Sequence, residues 1–201
     1  MSILTVTALK SIAQGSFTSR NMRFQSYFCI DALKMNENAV VCDMMILMIR
    51  ISIAKQRLSH RKKTGVWYHY PISTAAQGTG NQRNSWQTPL GKHRIYQKIG
   101  ANMPKFTAFR GRKARGIYQQ GVDNTKKDWI LSRILWLDGV QTGINRRGGV
   151  DTRSRYIYIH GTHDEEHIGT PHSHGCIRMK NEDVMVLFDK VDVGESVIIS
   201  T

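Results

Sequence analysis

Arg155-Tyr156-Ile157-Tyr158-Ile159-His160 sets Ile157 and Ile159 on one face and Tyr156, Tyr158 and His160 on the other. That two-residue period is the mark of a half-buried strand. A loop punctuated by Gly161, Gly169, Pro171 and Gly175 follows, and the pattern then changes. Asn181 has the chemistry of a helix N-cap, Glu182 and Asp183 load the first turn, and Val184, Leu187, Phe188 and Val191 follow the i, i+3, i+4, i+7 spacing. Gly194 turns the chain into a last strand over Ser196 to Ser200. Strand, functional loop, short helix and closing strand form the frame on which the rest is read.

Upstream, strand signals recur. Ile49-Arg50-Ile51-Ser52-Ile53 alternates, and Val66 to Ser73 is β-branched and aromatic before the turn cluster Gly78-Thr79-Gly80-Asn81. Thr88-Pro89-Leu90-Gly91 punctuates again, Lys92 to Ile99 sets Ile95, Gln97 and Ile99 on one face, and Trp129-Ile130-Leu131 and Ile134-Leu135-Trp136-Leu137 read as two short apolar runs. Gly100 to Asn124, with five Lys or Arg between Lys105 and Arg115 and no period, reads as a basic loop or lid. The expected fold class is mainly β over residues 48–201, with one short helix near the C-terminus.

Residues 1–47 read differently, with neither clean period nor turn punctuation. Two readings stand for them: a poorly ordered extension, or a stretch upstream of a biological start at Met44, Met45 or Met48. The apolar run Ala39 to Ile49 is interrupted by Asp43 and falls well short of the roughly 20 residues that span a bilayer. No convincing signal peptide is visible, because the positive charge before that run is scattered.

The chain has 201 residues, a formal charge of +14 and 40% hydrophobic residues. This excludes disorder as a whole-chain description and makes an anionic partner the first expectation. Lys and Arg are dispersed without an interleaved aromatic stacking platform, so nucleic acid is not the expected partner. Gly78-Thr79-Gly80 lacks the third glycine of a dinucleotide fingerprint. Cys29, Cys42 and Cys176 are an odd number, so at least one thiol is free.

Five of the eight histidines, His160, His163, His167, His172 and His174, fall within fifteen residues, and Cys176 follows at once. A thiolate is a competent nucleophile when an imidazole or a positive environment lowers its pKa from about 8.5. His160, at a strand end, is a plausible base. Gly175 leaves the backbone bare, so that the Gly175 and Cys176 N–H groups can face a developing oxyanion, and Arg178 offers a fork suited to a carboxylate. His163-Asp164-Glu165-Glu166-His167 also fits an H-x-x-E-H zinc motif. That motif needs a helix, whereas these residues lie between a strand end and Gly169-Thr170-Pro171, so no metal is expected and His163, His167 and His172 read as loop or rim residues.

His160-Gly161-Thr162, Ile168-Gly169-Thr170-Pro171 and Ser173-His174-Gly175-Cys176-Ile177-Arg178-Met179 together resemble the signature of the L,D-transpeptidases, cysteine enzymes that cross-link bacterial peptidoglycan. Ser73-Thr74, Gly78-Thr79-Gly80 and Thr88-Pro89-Leu90-Gly91 resemble the upstream part of the same domain, so the likeness covers about Ile49 to Thr201. The resemblance implies a β-sandwich or barrel-like domain over residues 48–201, Cys176 as nucleophile, His160 as proton donor and acceptor, an oxyanion and substrate site at Ser173, His174, Gly175 and Arg178, and no cofactor. It further implies peptidoglycan stem peptides as partners, a cell-envelope or periplasmic location, and a part in wall biogenesis and cell shape. Departures from the pattern are a shorter loop between His160 and Ser173 and Arg178 where other members carry Asn. If water takes the acyl group, the same site is an L,D-carboxypeptidase. A basic module binding an anionic envelope polymer is the reading from another class.

Overall fold

The computed structural model describes residues 48–62, 64–124 and 127–201; the cysteines Cys29 and Cys42 and the two readings of residues 1–47 lie outside them. The described strands are β1 (Met48–Ser52), β2 (Arg57–Arg61), β3 (Trp67–Pro71), β4 (Gly91–Ile99), β5 (Thr107–Arg110), β6 (Lys113–Ile117), β7 (Ile130–Gly139), β8 (Tyr158–Gly161), β9 (Ile177–Met179) and β10 (Ser196–Ser200). Among the described residues one α-helix, α1 (Asn181–Lys190), precedes β10. The strands form one sheet in the order β3-β2-β1-β10-β4-β7-β5-β6, with β8 added to β7 and β9 to β8. The expected mainly β class with a short C-terminal helix is what the chain adopts.

Burial explains these elements. β1 buries Ile49 and Ile51 and turns Arg50 outward, and it pairs in parallel with β10, where Val197 and Ile199 are buried in turn. A second parallel pair, β8 with β9, joins Ile159 to Ile177 and His160 to Arg178. Ile157, Ile159, Ile177 and Met179 enter the main core with Leu135, Leu137 and the α1 residues Val184, Leu187 and Phe188. Each such side chain contributes about 1.5–3 kcal/mol by leaving water.

Four local expectations are corrected. The segment read as a loop over Gly100 to Asn124 contains the β5–β6 hairpin, whose second strand is exposed at every residue and so carries no burial pattern. The two apolar runs belong, from Ile130 on, to a single strand, β7, broken by a register shift between Leu131 and Ile134, where Ser132 takes φ +63°. In β4 a similar shift between Ile95 and Gln97 leaves Gln97 exposed, away from buried Ile95. Tyr156 is in a turn with φ +59°, so the strand begins at Tyr158 rather than Arg155.

Candidate active site

The β8–β9 register places Tyr158, His160 and Arg178 on one face, opposite the core-facing isoleucines, with Cys176 immediately before β9 on that same face. His160 and Cys176 are therefore diagonal neighbours across adjacent strands, a relation that long side chains can bridge. The loop before Cys176 is held by the upstream segments picked out in the sequence. Ser73 bridges to Arg178 and Ala75 to Ser173, the Ala76 N–H donates to Ser173 O at 3.0 Å, and the Thr88 hydroxyl donates to Gly175 O at 3.1 Å. Gly175 sits at φ +129°, a conformation that L side chains rarely adopt, so glycine is required at this turn.

Cys176 is half-buried, and its Sγ lies 3.4 Å from the Tyr158 N–H and 3.5 Å from Tyr156 O. Neither contact is to His160. Desolvation is the largest influence on the thiol and pushes its pKa up to about 12; Asp128 pushes the same way, while the Tyr158 N–H, Arg178 and Arg155 oppose it. His160 is 1% exposed rather than on an open polar face. Its Nδ1 lies 2.7 Å from Gly161 O, which can only accept. Nδ1 therefore carries the proton, and Nε2 keeps the lone pair a base needs. Burial moves the His160 pKa below its ordinary value, against the opposing pull of Asp128. Both partners of the resting site are thus neutral near pH 7.

Asp128 ties the polar groups together, and sequence reasoning missed it. Its Oδ2 accepts from Arg178 Nη2 at 2.8 Å and lies 2.9 Å from His174 Nδ1. Although burial pushes its carboxyl upward, His160, Arg178 and His174 hold it below the ordinary carboxylate range. Arg178 donates to Asp164 Oδ2 at 3.0 Å as well, so this nearly buried guanidinium is already engaged by two carboxylates, while its Nε is buried without a hydrogen-bond partner. The Gly175 N–H, expected to face an oxyanion, donates instead to Ser173 Oγ at 3.2 Å, and the Ser173 hydroxyl donates to Cys176 O at 2.6 Å.

Asn181 also differs from its expected part as an N-cap. It is buried as the first residue of α1, and its side-chain amide donates to Thr162 O and Glu165 Oε1, both at 2.6 Å, while Ser132 Oγ donates to its Oδ1 at 2.6 Å. Glu165 Oε1 also receives the Asn181 backbone N–H, satisfying the helix end from outside the helix. This clamp fixes the loop that leaves β8. A cleft of about 1240 Å³ opens over it, lined by Asp128, His163, Asp164, His167, His172 and His174 among others. A smaller pocket of about 280 Å³ lies among Arg83, Arg155 and Tyr156, and Trp86 and His174 line both.

Residues 47–199 match the family model of the YkuD domain, the L,D-transpeptidase catalytic domain. The match covers most of the chain, which therefore belongs to this family. Over 43 residues, 21% of the chain, it is 51% identical to the probable L,D-transpeptidase YbiS of Escherichia coli K12, and over 49 residues, 24% of the chain, 47% identical to the putative L,D-transpeptidase YqjB of Bacillus subtilis 168. Those alignments span 14% and 28% of the relatives' own lengths. Among solved structures, L,D-transpeptidase 3 from Mycobacterium tuberculosis in complex with a faropenem-derived adduct aligns with 77% of this chain and 60% of its own, at 17% identity and a TM-score of 0.48.

Proposed function

We propose that residues 48–201 form a peptidoglycan L,D-transpeptidase domain working through Cys176 and His160. The observation that carries this reading is the shared polar face of β8 and β9: a buried imidazole with Nδ1 fixed on Gly161 O lies diagonal to a thiol on a glycine-dependent loop. In the proposed reaction, Sγ attacks the carbonyl that joins the L-centre of a diamino acid to the terminal D-Ala of a tetrapeptide stem. The thiol proton passes to His160 Nε2. The carbon–nitrogen bond then breaks, His160 returns the proton to the departing D-Ala amine, and a thioester remains on Cys176. An amine of a second stem attacks the thioester, forms the cross-link and restores the thiol.

Starting from a neutral pair, the reaction creates an imidazolium as the thiol proton moves, and Asp128 is the anion placed to stabilise it. The oxyanion falls to the His174 and Cys176 members of the turn, whose shape Ser173 holds by taking the Gly175 N–H and donating to Cys176 O. Arg178 keeps Asp128 and Asp164 at the cleft floor, which is how it serves the substrate. The substrate sets the reaction in the cell envelope, and the excess positive charge suits carboxylate-bearing stems and anionic envelope polymers. Among the described residues no helix is long and apolar enough to cross a membrane.

Incubation with tetrapeptide stems tests the reading: wild type releases D-Ala and forms a cross-linked dimer, and Cys176→Ala does neither while keeping its circular dichroism spectrum. Release without dimer assigns hydrolysis instead. Absence of release from the wild type favours the polymer-binding module, and release by Cys176→Ala overturns the mechanism.

A further inference from the structure

The histidine-rich loop holds more imidazoles than the proposed acyl transfer uses. The H-x-x-E-H reading fails on geometry, because Glu165–His167 is a single 3-10 turn and His163 turns away to pack on Tyr118, ring centroids 5.6 Å apart. A different set converges. Asp164, His167 and His172 each present a ligand atom, and these atoms all lie within 4.8 Å of one another. His167 Nδ1 is hydrogen-bonded to Asp164 Oδ1, and His172 Nε2 stands 3.8 Å from Asp164 Oδ2. The two rings stack at 4.0 Å, only 7° from parallel, and Glu166 Oε1 is 3.9 Å from His167 Nδ1.

We propose that Asp164, His167 and His172 form a binding site for a divalent first-row transition metal at the rim of the cleft. Two imidazoles and a carboxylate suit zinc and its neighbours, and three protein ligands leave a position for water or Glu166. Bond lengths of about 2.0–2.1 Å require ligand atoms about 3.3 Å apart in a tetrahedron. His167 and His172 are 42% and 50% exposed in their side chains, so their rings are free to turn out of the stack and close that gap. Asp164 is the fixed member, 13% exposed and oriented by Arg178, in the way outer partners commonly orient a metal-bound carboxylate. Occupancy also places a cation beside Arg178 and shares the carboxylate that helps hold it, so the site touches the cleft floor without involving the thiol.

The inference is independent of the acyl-transfer reading, and its test needs no activity. The full chain is titrated with zinc alone by calorimetry and with cobalt alone by visible absorption. Wild type and Cys176→Ala bind one equivalent at this site, and the cobalt spectrum lacks a thiolate charge-transfer band. His167→Ala and His172→Ala bind at least tenfold more weakly, and the double variant loses that equivalent. His167→Gln with His172→Gln, which keeps polar side chains, repeats the loss if the alanine pair is poorly folded. Unchanged binding in the double variants, loss of the equivalent in Cys176→Ala, or no binding by wild type overturns the assignment.

Discussion

The two faces of the β8–β9 pair divide the labour of the molecule. One presents Ile157, Ile159, Ile177 and Met179 to the main apolar cluster, and the other carries Tyr158, His160, Cys176 and Arg178, of which Arg178 lines the cleft. On the first face, apolar area removed from water supplies the stability. On the second, the buried polar residues are held by polar partners: His160 has Gly161 O, and Arg178 has Asp128 and Asp164, although its Nε has none. The difference teaches that substitutions on the two faces should separate stability from chemistry, even one residue apart in the chain.

His160→Ala gives the largest separation. Loss of the base lowers the rate of D-Ala release by about 10²- to 10⁴-fold, while the stability cost is about 1–3 kcal/mol, from leaving Gly161 O without its partner. Its neighbour does the reverse: Ile159→Ala, at a fully buried position, lowers unfolding free energy by about 2–5 kcal/mol, measured by urea denaturation, while the folded fraction keeps its specific activity. If both variants lose stability equally, the division between the faces is wrong.

Asp128→Asn probes the polar face alone. Leaving the imidazolium of the transition state without its anion costs about 1–3 kcal/mol, or about 5- to 160-fold in rate, and the His160 pKa moves further down because that attraction is gone. Its acid limb in a pH–rate profile accordingly shifts to lower pH than that of wild type. An unchanged acid limb would show that Asp128 serves only to hold the loop.

The smallest effect is spectroscopic. With the thiol pushed up to about 12 and His160 below its ordinary value, the free protein shows no thiolate absorbance at neutral pH. Between the ordinary thiol value of about 8.5 and about 12, the unfolded chain releases a proton that the folded chain keeps. Wild type therefore loses stability as pH rises through that window, and Cys176→Ala lacks this contribution. Thiolate absorbance at pH 7 would mean a resting ion pair in place of the neutral one.

The sequence made β1, β10 and α1 legible because each buries one face beside a solvated one, which is the condition under which periodicity records burial. The loop from Ser173 to Arg178 was legible for another reason: glycine beside a thiol, with imidazoles nearby, is chemically informative without any knowledge of packing. The β5–β6 hairpin was hidden because every residue of its second strand is exposed. β7 read as two runs because Ser132 and Arg133, at the register shift, are polar residues that the fold buries. Asp128 left no local trace, since its partners lie 46 and 50 residues on, and the contact exists only once β7 and β8 pair. The two carboxylates on Arg178 and the Ser173 contact to the Gly175 N–H were hidden likewise, being properties of a closed loop rather than of its composition.

Intact mass spectrometry of the protein mixed with a tetrapeptide stem and no amine acceptor tests the central claim most directly. The account predicts an adduct with the mass of the stem less D-Ala, mapped by peptide digestion to Cys176 and absent from Cys176→Ala. An adduct on another residue, or D-Ala release with no thioester trapped on rapid acid quench, would contradict it.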